Sequence, residues 1–324
     1  MRHTDTFRQY IWLVNTIERH KRITLEELSK LWIDYDLNDG KPLARTTFHR
    51  LKQAVEEMFG IRIECDTRNG YQYYIANDEL LKSSSTQNWM LRTLTVNSIL
   101  LDGLSIKDQL LLEDIPAGLE HLEPIINAIK AHHILQMSYQ KFNDPEPYST
   151  FIEPYCLKLF HQRWYLLGKS EKRNDGLSIY ALDRITELSE TEQEFKLNSD
   201  FDAETFFKDY FGVIPDQKVQ VERIVLRAFS PMDNYLRTLP LHHSQQEIAT
   251  EKEFALFEYR LAPTHDFIQA ILKEGHELEV VEPLSLRKII HKELTDTLKR
   301  YRCLLINSPL ITDSYKRNPH QNCS

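Results

Sequence analysis

Apolar residues recur at three- and four-residue intervals over 6–19 (Phe7, Tyr10, Ile11, Leu13, Val14, Ile17), a spacing that predicts an amphipathic helix. A second helix opens at Thr24-Leu25-Glu26-Glu27, where Thr24 can accept from the backbone and Glu27 can reach back to it. Leu25, Leu28, Leu31 and Trp32 then line one face. The polar stretch 34–42, which holds Gly40 and Pro42, reads as a turn. A third helix is expected over 45–59, with Phe48, Leu51, Val55 and Met58 as its buried stripe. After Gly60, Ile61 and Ile63 alternate with polar residues, Asn69-Gly70 signals a hairpin turn, and 71–75 returns as a strand. Three helices and then a hairpin is the order of a winged helix-turn-helix.

The grain then changes. A linker begins near Asp78, helical character resumes over 89–112, and another helix is expected over 122–132. From Ile134 the chain breaks into short alternating runs, the last of them LSIYALDRITELSE, separated by polar or Pro/Gly-bearing turns. A small antiparallel sheet or barrel is the reading, closed by a helix over 201–212. From about 217 the order strand-helix repeats three times, ending in a long helix, as in a small α+β domain. The fold class is therefore α+β and multidomain. The divisions are 1–77 for the winged helix, 78–120 for a helical linker, 121–212 for the sheet domain, 217–307 for the C-terminal domain and 308–324 for a frayed tail.

Composition narrows the function classes. With 41% hydrophobic and 27% charged residues the 324-residue chain has material for real cores and is not a disordered polymer. No apolar run has the length to span a bilayer and the N-terminus is interrupted by charges, so cytoplasmic residence and no membrane partner are expected. Cys65, Cys156, Cys303 and Cys323 are scattered, without metal-ligand or disulfide spacing. The pairs His132-His133 and His242-His243 lack an i, i+4 arrangement, and the signatures of serine hydrolases, P-loops, dinucleotide folds and zinc proteases are missing. No enzyme activity and no cofactor are expected.

A net charge of −8 is unpromising for a DNA binder, but its distribution matters more. Between Gly40 and Val55 stand Lys41, Arg45, Arg50 and Lys52 with no Asp or Glu. On the third helix, Thr46, His49, Arg50 and Gln53 can donate to base edges, with Arg45, Thr47 and Lys52 beside them for the backbone and Arg68 at the hairpin tip. The alternative is an ordinary solvated helix face. In 161-HQRWYLLGK-169, alternation sends Trp164, Leu166 and Gly168 to one side and Arg163, Tyr165, Leu167 and Lys169 to the other. Arg184, and Lys141 near Tyr139, can join the second row if their strands are neighbours, and such a row suits a flat anion such as a nucleotide or single-stranded nucleic acid. The competing reading buries Trp164 and Tyr165 and pairs Arg184 with Asp183 or Glu187.

Trp164-Tyr165-Leu166, with Glu153-Pro154 before it and Leu182-Asp183-Arg184-Ile185 after it, resembles the WYL domain of bacterial regulators. Residues 45–50 through Gly60 and then Asn69-Gly70-Tyr71 resemble the winged helix-turn-helix that precedes it, and 241–245 with 280–283 is similar to the C-terminal extension (WCX) of those proteins. The resemblance implies an Sm-like β-barrel for the WYL domain. It implies a homodimeric transcription factor on a double-stranded DNA operator, with a nucleotide or nucleic-acid ligand and a dimerising C-terminal extension. Carried over by position, the ligand-facing residues are Tyr139, Arg163, Tyr165 and Arg184, with Trp164 structural. Ser178 and Ala181 stand where further arginines are common, which leaves room for a smaller ligand. Ala44 stands where a capping Ser is common, so Thr46 becomes the candidate N-cap. The rival assignments are an accessory subunit of a nucleic-acid-modifying or defence enzyme, and a scaffold whose winged helix binds protein.

Overall fold

The computed structural model describes residues 3–102 except 36, 38–39 and 82–84, then 109, 111 and 117–306 except 172–175 and 217. The expected tail at 308–324 lies outside the described residues, as does most of 103–116. The chain divides into two compact units, Met1–Glu113 and Asp114–Ser324.

The first unit runs α1 (His3–His20), β1 (Ile23–Thr24), α2 (Leu25–Asp34), α3 (Arg45–Phe59), β2 (Ile63–Asp66), β3 (Gln72–Ile75) and α4 (Thr86–Asp102). The capping box forms as expected. The Glu27 N–H donates to Thr24 Oγ1 at 3.2 Å, and the Thr24 N–H donates to Glu27 Oε2 at 2.9 Å. α3 buries Phe48, Leu51, Val55 and Phe59 against Leu13, Val14 and Ile17 of α1 and Leu28 and Trp32 of α2. Four side chains of this size removed from water supply about 1.5–3 kcal/mol each as an upper estimate.

Two details differ from the sequence reading. Met58 is only partly buried, and Phe59, four residues after Val55 and so on the same face, completes the stripe before Gly60 ends α3 in the left-handed region, φ 68°. The N-cap is Ala44, with no side-chain hydrogen bond, so Thr46 does not cap the helix. Beyond the hairpin, the Asn77 side chain accepts from the Arg62 N–H and donates to the Gly60 carbonyl, both at 2.9 Å, which ties the chain's return to the end of α3. β1, too short to be read from the pattern, adds a third strand through Ile23↔Tyr73, giving the order β1-β3-β2.

The second unit holds α5 (Leu122–Ala131) and the strands β4 (His133–Tyr139), β5 (Tyr148–Phe160), β6 (Arg163–Ser170), β7 (Leu177–Ala181) and β8 (Ile185–Glu194), then α6 (Ala203–Phe207). The strand order is β7-β6-β5-β4-β8. The sheet is open, and the barrel expected from the family resemblance does not form. Its edge strands β7 and β8 do not pair. LSIYALDRITELSE is broken by a 3-10 turn, Leu182–Arg184, that carries β8 to the far edge beside β4. At the gap the Ala181 N–H, which a closing strand would take, donates to the Tyr139 hydroxyl at 3.2 Å.

Within this sheet Gly168 makes the closest approach. A Cβ there would lie 2.6 Å from both the Glu153 carbonyl oxygen and Ile152 Cγ2, because β6 passes tightly over β5 just before the register shift between Pro154 and Cys156. Gly168→Ala is therefore expected to destabilise the second unit by about 1–3 kcal/mol. Its melting midpoint, read by calorimetry on the full chain, should fall by roughly 2–4 °C per kcal/mol. An unchanged midpoint would mean that the strand pair yields freely.

The C-terminal half adds β9 (Glu222–Phe229), α7 (Met232–Thr238), β10 (Gln246–Thr250), β11 (Phe254–Leu261), α8 (His265–Lys273), β12 (Leu278–Glu282) and α9 (Leu284–Ile306). β10 joins the three expected strands in an antiparallel sheet of order β10-β11-β9-β12. The segment following α6 connects the two sheets. Lys158 Nζ donates to the Gly212 carbonyl, Asp266 accepts from the Val213 and Ile214 N–H groups at 2.7 and 3.0 Å, and the Ala262 N–H donates to the Asp209 carbonyl at 2.8 Å. Burial pushes the Lys158 ammonium down to about 8 and the neighbouring Cys156 thiol up to about 11. α9 seats Leu286 and Ile290 in the core, then continues with Leu294, Leu298 and Tyr301 exposed in an i, i+4, i+7 stripe. Among the described residues, no helix is long and apolar enough to cross a membrane.

Candidate functional site

α3 turns its basic side outward. Arg45, Thr46, His49, Arg50 and Gln53 are exposed, and Thr47 and Lys52 are half-buried at the flanks. Among the described residues Gln53 is the one engaged in a side-chain hydrogen bond, donating to Glu57 Oε1 one turn on at 2.8 Å, while the His49 ring stands edge-on to Phe48. The guanidinium and ammonium groups of Arg45, Arg50 and Lys52 have no carboxylate partner among the described residues.

The hairpin turn is organised by Asp66. Its carboxylate accepts from the N–H groups of Arg68 and Asn69, from Asn69 Nδ2 at 2.7 Å and from Arg22 Nη1 at 2.6 Å. The Asn69 and Arg22 contacts hold the Asp66 carboxyl below its ordinary pKa. The turn is longer than the two-residue reading, with positive φ at Gly70 (78°) and Tyr71 (58°) and the strand resuming at Gln72. Arg68 is exposed at the tip, and so is Tyr71.

In the second unit a cleft of about 630 Å³ opens by the end of β4 and the strand β7, lined by Tyr139, Lys141, Asp144, Tyr148, Ser178 and Arg184 among others. Two cations are seated on aromatic rings. Arg184 lies 3.9 Å from the Phe142 ring centroid and 5.0 Å from that of Tyr139, and Lys141 Nζ lies 4.8 Å from that of Tyr148. Arg184 Nε donates to the Gln140 carbonyl at 3.0 Å. Neither expected carboxylate pairs with Arg184: Asp183 pairs with Arg163 at 3.2 Å, and Glu187 accepts from Ser138. Burial holds the Tyr139 phenol above its ordinary pKa, so it stays a neutral hydroxyl. Ser178 is buried on the cleft wall, and its hydroxyl has no hydrogen-bond partner among the described residues.

The structure thus brings Tyr139, Lys141 and Arg184 together and leaves Arg163 and Tyr165 outside. The register explains it. Gly168↔Ser178 and Ile152↔Ser170 pair on the cleft side of the sheet, so alternation puts Tyr165, opposite Lys158, on the other face. Arg163, two residues before it, shares that face.

Residues 120–190, which carry α5 and all five strands of this sheet through most of β8, match the WYL domain family. This segment is a WYL domain. No curated protein matches the chain. Among solved structures, proteasome accessory factor B/C (PafBC) of Arthrobacter aurescens is similar at 19% identity and a TM-score of 0.28, over 76% of this chain and 39% of that one. This chain therefore spans about two-fifths of the PafBC chain. A CRISPR Cas-related protein is similar at 13% identity and a TM-score of 0.37, over 84% of this chain and 76% of that one.

Sequence reasoning missed Tyr148 and Ser178 as parts of the WYL cleft, and Phe142 as the ring that Arg184 rests on. Tyr148 faces Tyr139 across the β4–β5 ladder, with ring centroids 6.1 Å apart, and only the register reveals that. In the sequence Ser178 stands out only as a position where an arginine is common. Its small side chain opens the wall that a long one would fill. Among the described residues no three His, Cys, Asp or Glu side chains gather as a metal site.

Proposed function

We propose that the chain is a homodimeric, DNA-binding transcriptional regulator whose WYL domain senses a nucleotide or nucleic-acid-like anion. The observation that carries the reading is the outward face of α3, basic, free of carboxylates up to Val55 and flanked by a hairpin with Arg68 at its tip. Thr46, His49, Arg50 and Gln53 are assigned to base edges, Gln53 exchanging Glu57 for a base. Arg45, Thr47, Lys52 and Arg68 are assigned to phosphates.

In the WYL cleft Arg184 and Lys141 take the anionic group, and Tyr139 and Ser178 supply hydroxyls. The modest cleft and the serine at 178 favour a mononucleotide or short oligonucleotide over a long polyanion. Ligand occupancy regulates DNA binding by favouring one arrangement of the dimer over another, which requires differential affinity for the two.

The test is titration of the full chain onto DNA upstream of its own gene at two salt concentrations, with scrambled DNA as competitor. Tight, sequence-dependent binding that weakens steeply with salt is expected. Equal affinity for scrambled DNA, or binding indifferent to salt, would overturn the reading in favour of a protein-binding winged helix.

The exposed stripe on α9 supports dimerisation through the C-terminal extension, since Leu298 is 49% and Tyr301 68% exposed. Leu298→Asp is expected to convert dimers to monomers in light scattering without lowering the melting midpoint. A persistent dimer would place the interface elsewhere.

A further inference from the structure

The first unit contains a cavity that the DNA-binding reading does not use. It holds about 380 Å³ between α1, the residues just past α2 and α4, a size suited to a small molecule. Trp12 and Tyr35, edge to face with ring centroids 6.3 Å apart, form an aromatic wall, and Ile99, 64% exposed, stands on the α4 side. Asn15 donates to Thr95 Oγ1 at a long 3.4 Å, so a polar strip runs through the apolar lining.

Charge and an unsatisfied donor define the ligand. Arg8 and Arg19 line the cavity about 16 Å apart along α1, and no carboxylate is among the described lining residues. Arg19 is exposed and has no hydrogen bond or ion pair among the described residues. Trp12 is more than nine-tenths buried, yet its indole N–H has no acceptor among the described residues. A buried donor without a partner is uncommon and invites an acceptor. We propose that this cavity binds a small aromatic carboxylate, its ring against Trp12 and Tyr35 and its acid group held by Arg19. Such a ligand touches α1 and α4 together, so its occupancy fixes the seat of α4 within the unit. The site is separate from the WYL cleft and does not depend on the ligand assigned there.

The experiment uses 1-naphthoate and the neutral 1-naphthamide as ligands of the full chain in isothermal titration calorimetry. Naphthoate is expected to bind one site per chain, and naphthamide roughly tenfold more weakly or worse, since a bond to a charged group is lost. Arg19→Ala should weaken naphthoate to the level of the amide. Ser98→Phe, which fills the cavity from α4, should abolish binding with the circular dichroism spectrum unchanged. Arg184→Ala controls for the WYL cleft and should leave naphthoate affinity as it is. Absence of binding at millimolar naphthoate, equal affinity for the two compounds, or loss of binding in Arg184→Ala but not in Arg19→Ala would each overturn the proposal.

Discussion

Arg184→Ala is expected to abolish the ligand response while leaving DNA affinity unchanged. Arg184 is half-buried and held from three sides, by the Gln140 carbonyl and by the rings of Phe142 and Tyr139. Its planar donor fork is therefore ordered before any ligand arrives, and little rotamer entropy remains to be lost on binding. Removing one charge-assisted hydrogen bond of this kind costs roughly 1.5–3 kcal/mol, about ten- to hundredfold in affinity. Arg184→Lys keeps the charge and loses the fork and the ring stacking, so an intermediate loss is expected. The measurement is calorimetric titration of AMP and of a four-nucleotide DNA strand, paired with DNA binding by the same variant. Unchanged affinity for both would remove the cleft from the proposed function. Loss of DNA binding as well would mean that the substitution disturbs the fold, and Ser178→Ala then provides the milder test from the opposite wall.

The first unit was largely legible because its information is local. A 3.6-residue period places Phe48, Leu51 and Val55 without knowledge of the partner helices, and Thr24-Glu27 forms its cap within one turn. Met58 and Phe59 follow Val55 by three and four residues, so the period allows either on the stripe, and the packing buries Phe59. The second unit was legible only in its strands. Whether a sheet closes depends on its two edges meeting, and no short segment encodes that. LSIYALDRITELSE contains no Gly or Pro, so nothing local marks the 3-10 turn in which Leu182 is buried and β8 departs for the far edge.

The same non-locality divided the WYL site residues. Tyr165 and Trp164 fall on opposite faces by alternation, but which face borders the cleft is decided by strand register. The register shift between Pro154 and Cys156 moves the inward positions of β5 from Ile152 to Leu157, odd for even. Tyr165 consequently pairs with Lys158 on the outer face. Arg184 escaped the difficulty because it lies on the turn rather than on a strand, beside Tyr139 at the end of β4.

Arg50→Ala is expected to lower operator affinity by about five- to hundredfold with the fold intact, because the side chain is exposed and contributes nothing to the α3 stripe. Its salt dependence distinguishes the two ways in which Arg50 can act. A bidentate contact to a guanine edge carries about 1–3 kcal/mol of discrimination, so its loss lowers affinity for the operator and spares scrambled DNA. A phosphate contact carries no sequence information, so its loss weakens both DNAs alike and reduces the slope of log affinity against log salt by about one. Arg68→Ala at the hairpin tip should give the second pattern. The position of Arg50 on α3, one turn past Thr46 and beside His49, predicts the first. If Arg50→Ala weakens both DNAs equally, the bases are read instead by Thr46, His49 and Gln53, and Gln53 must first leave Glu57. Glu57→Ala frees Gln53 in advance and should then strengthen operator binding. If Arg50→Ala changes neither DNA, α3 is not the reading helix and the proposed function fails at its central observation.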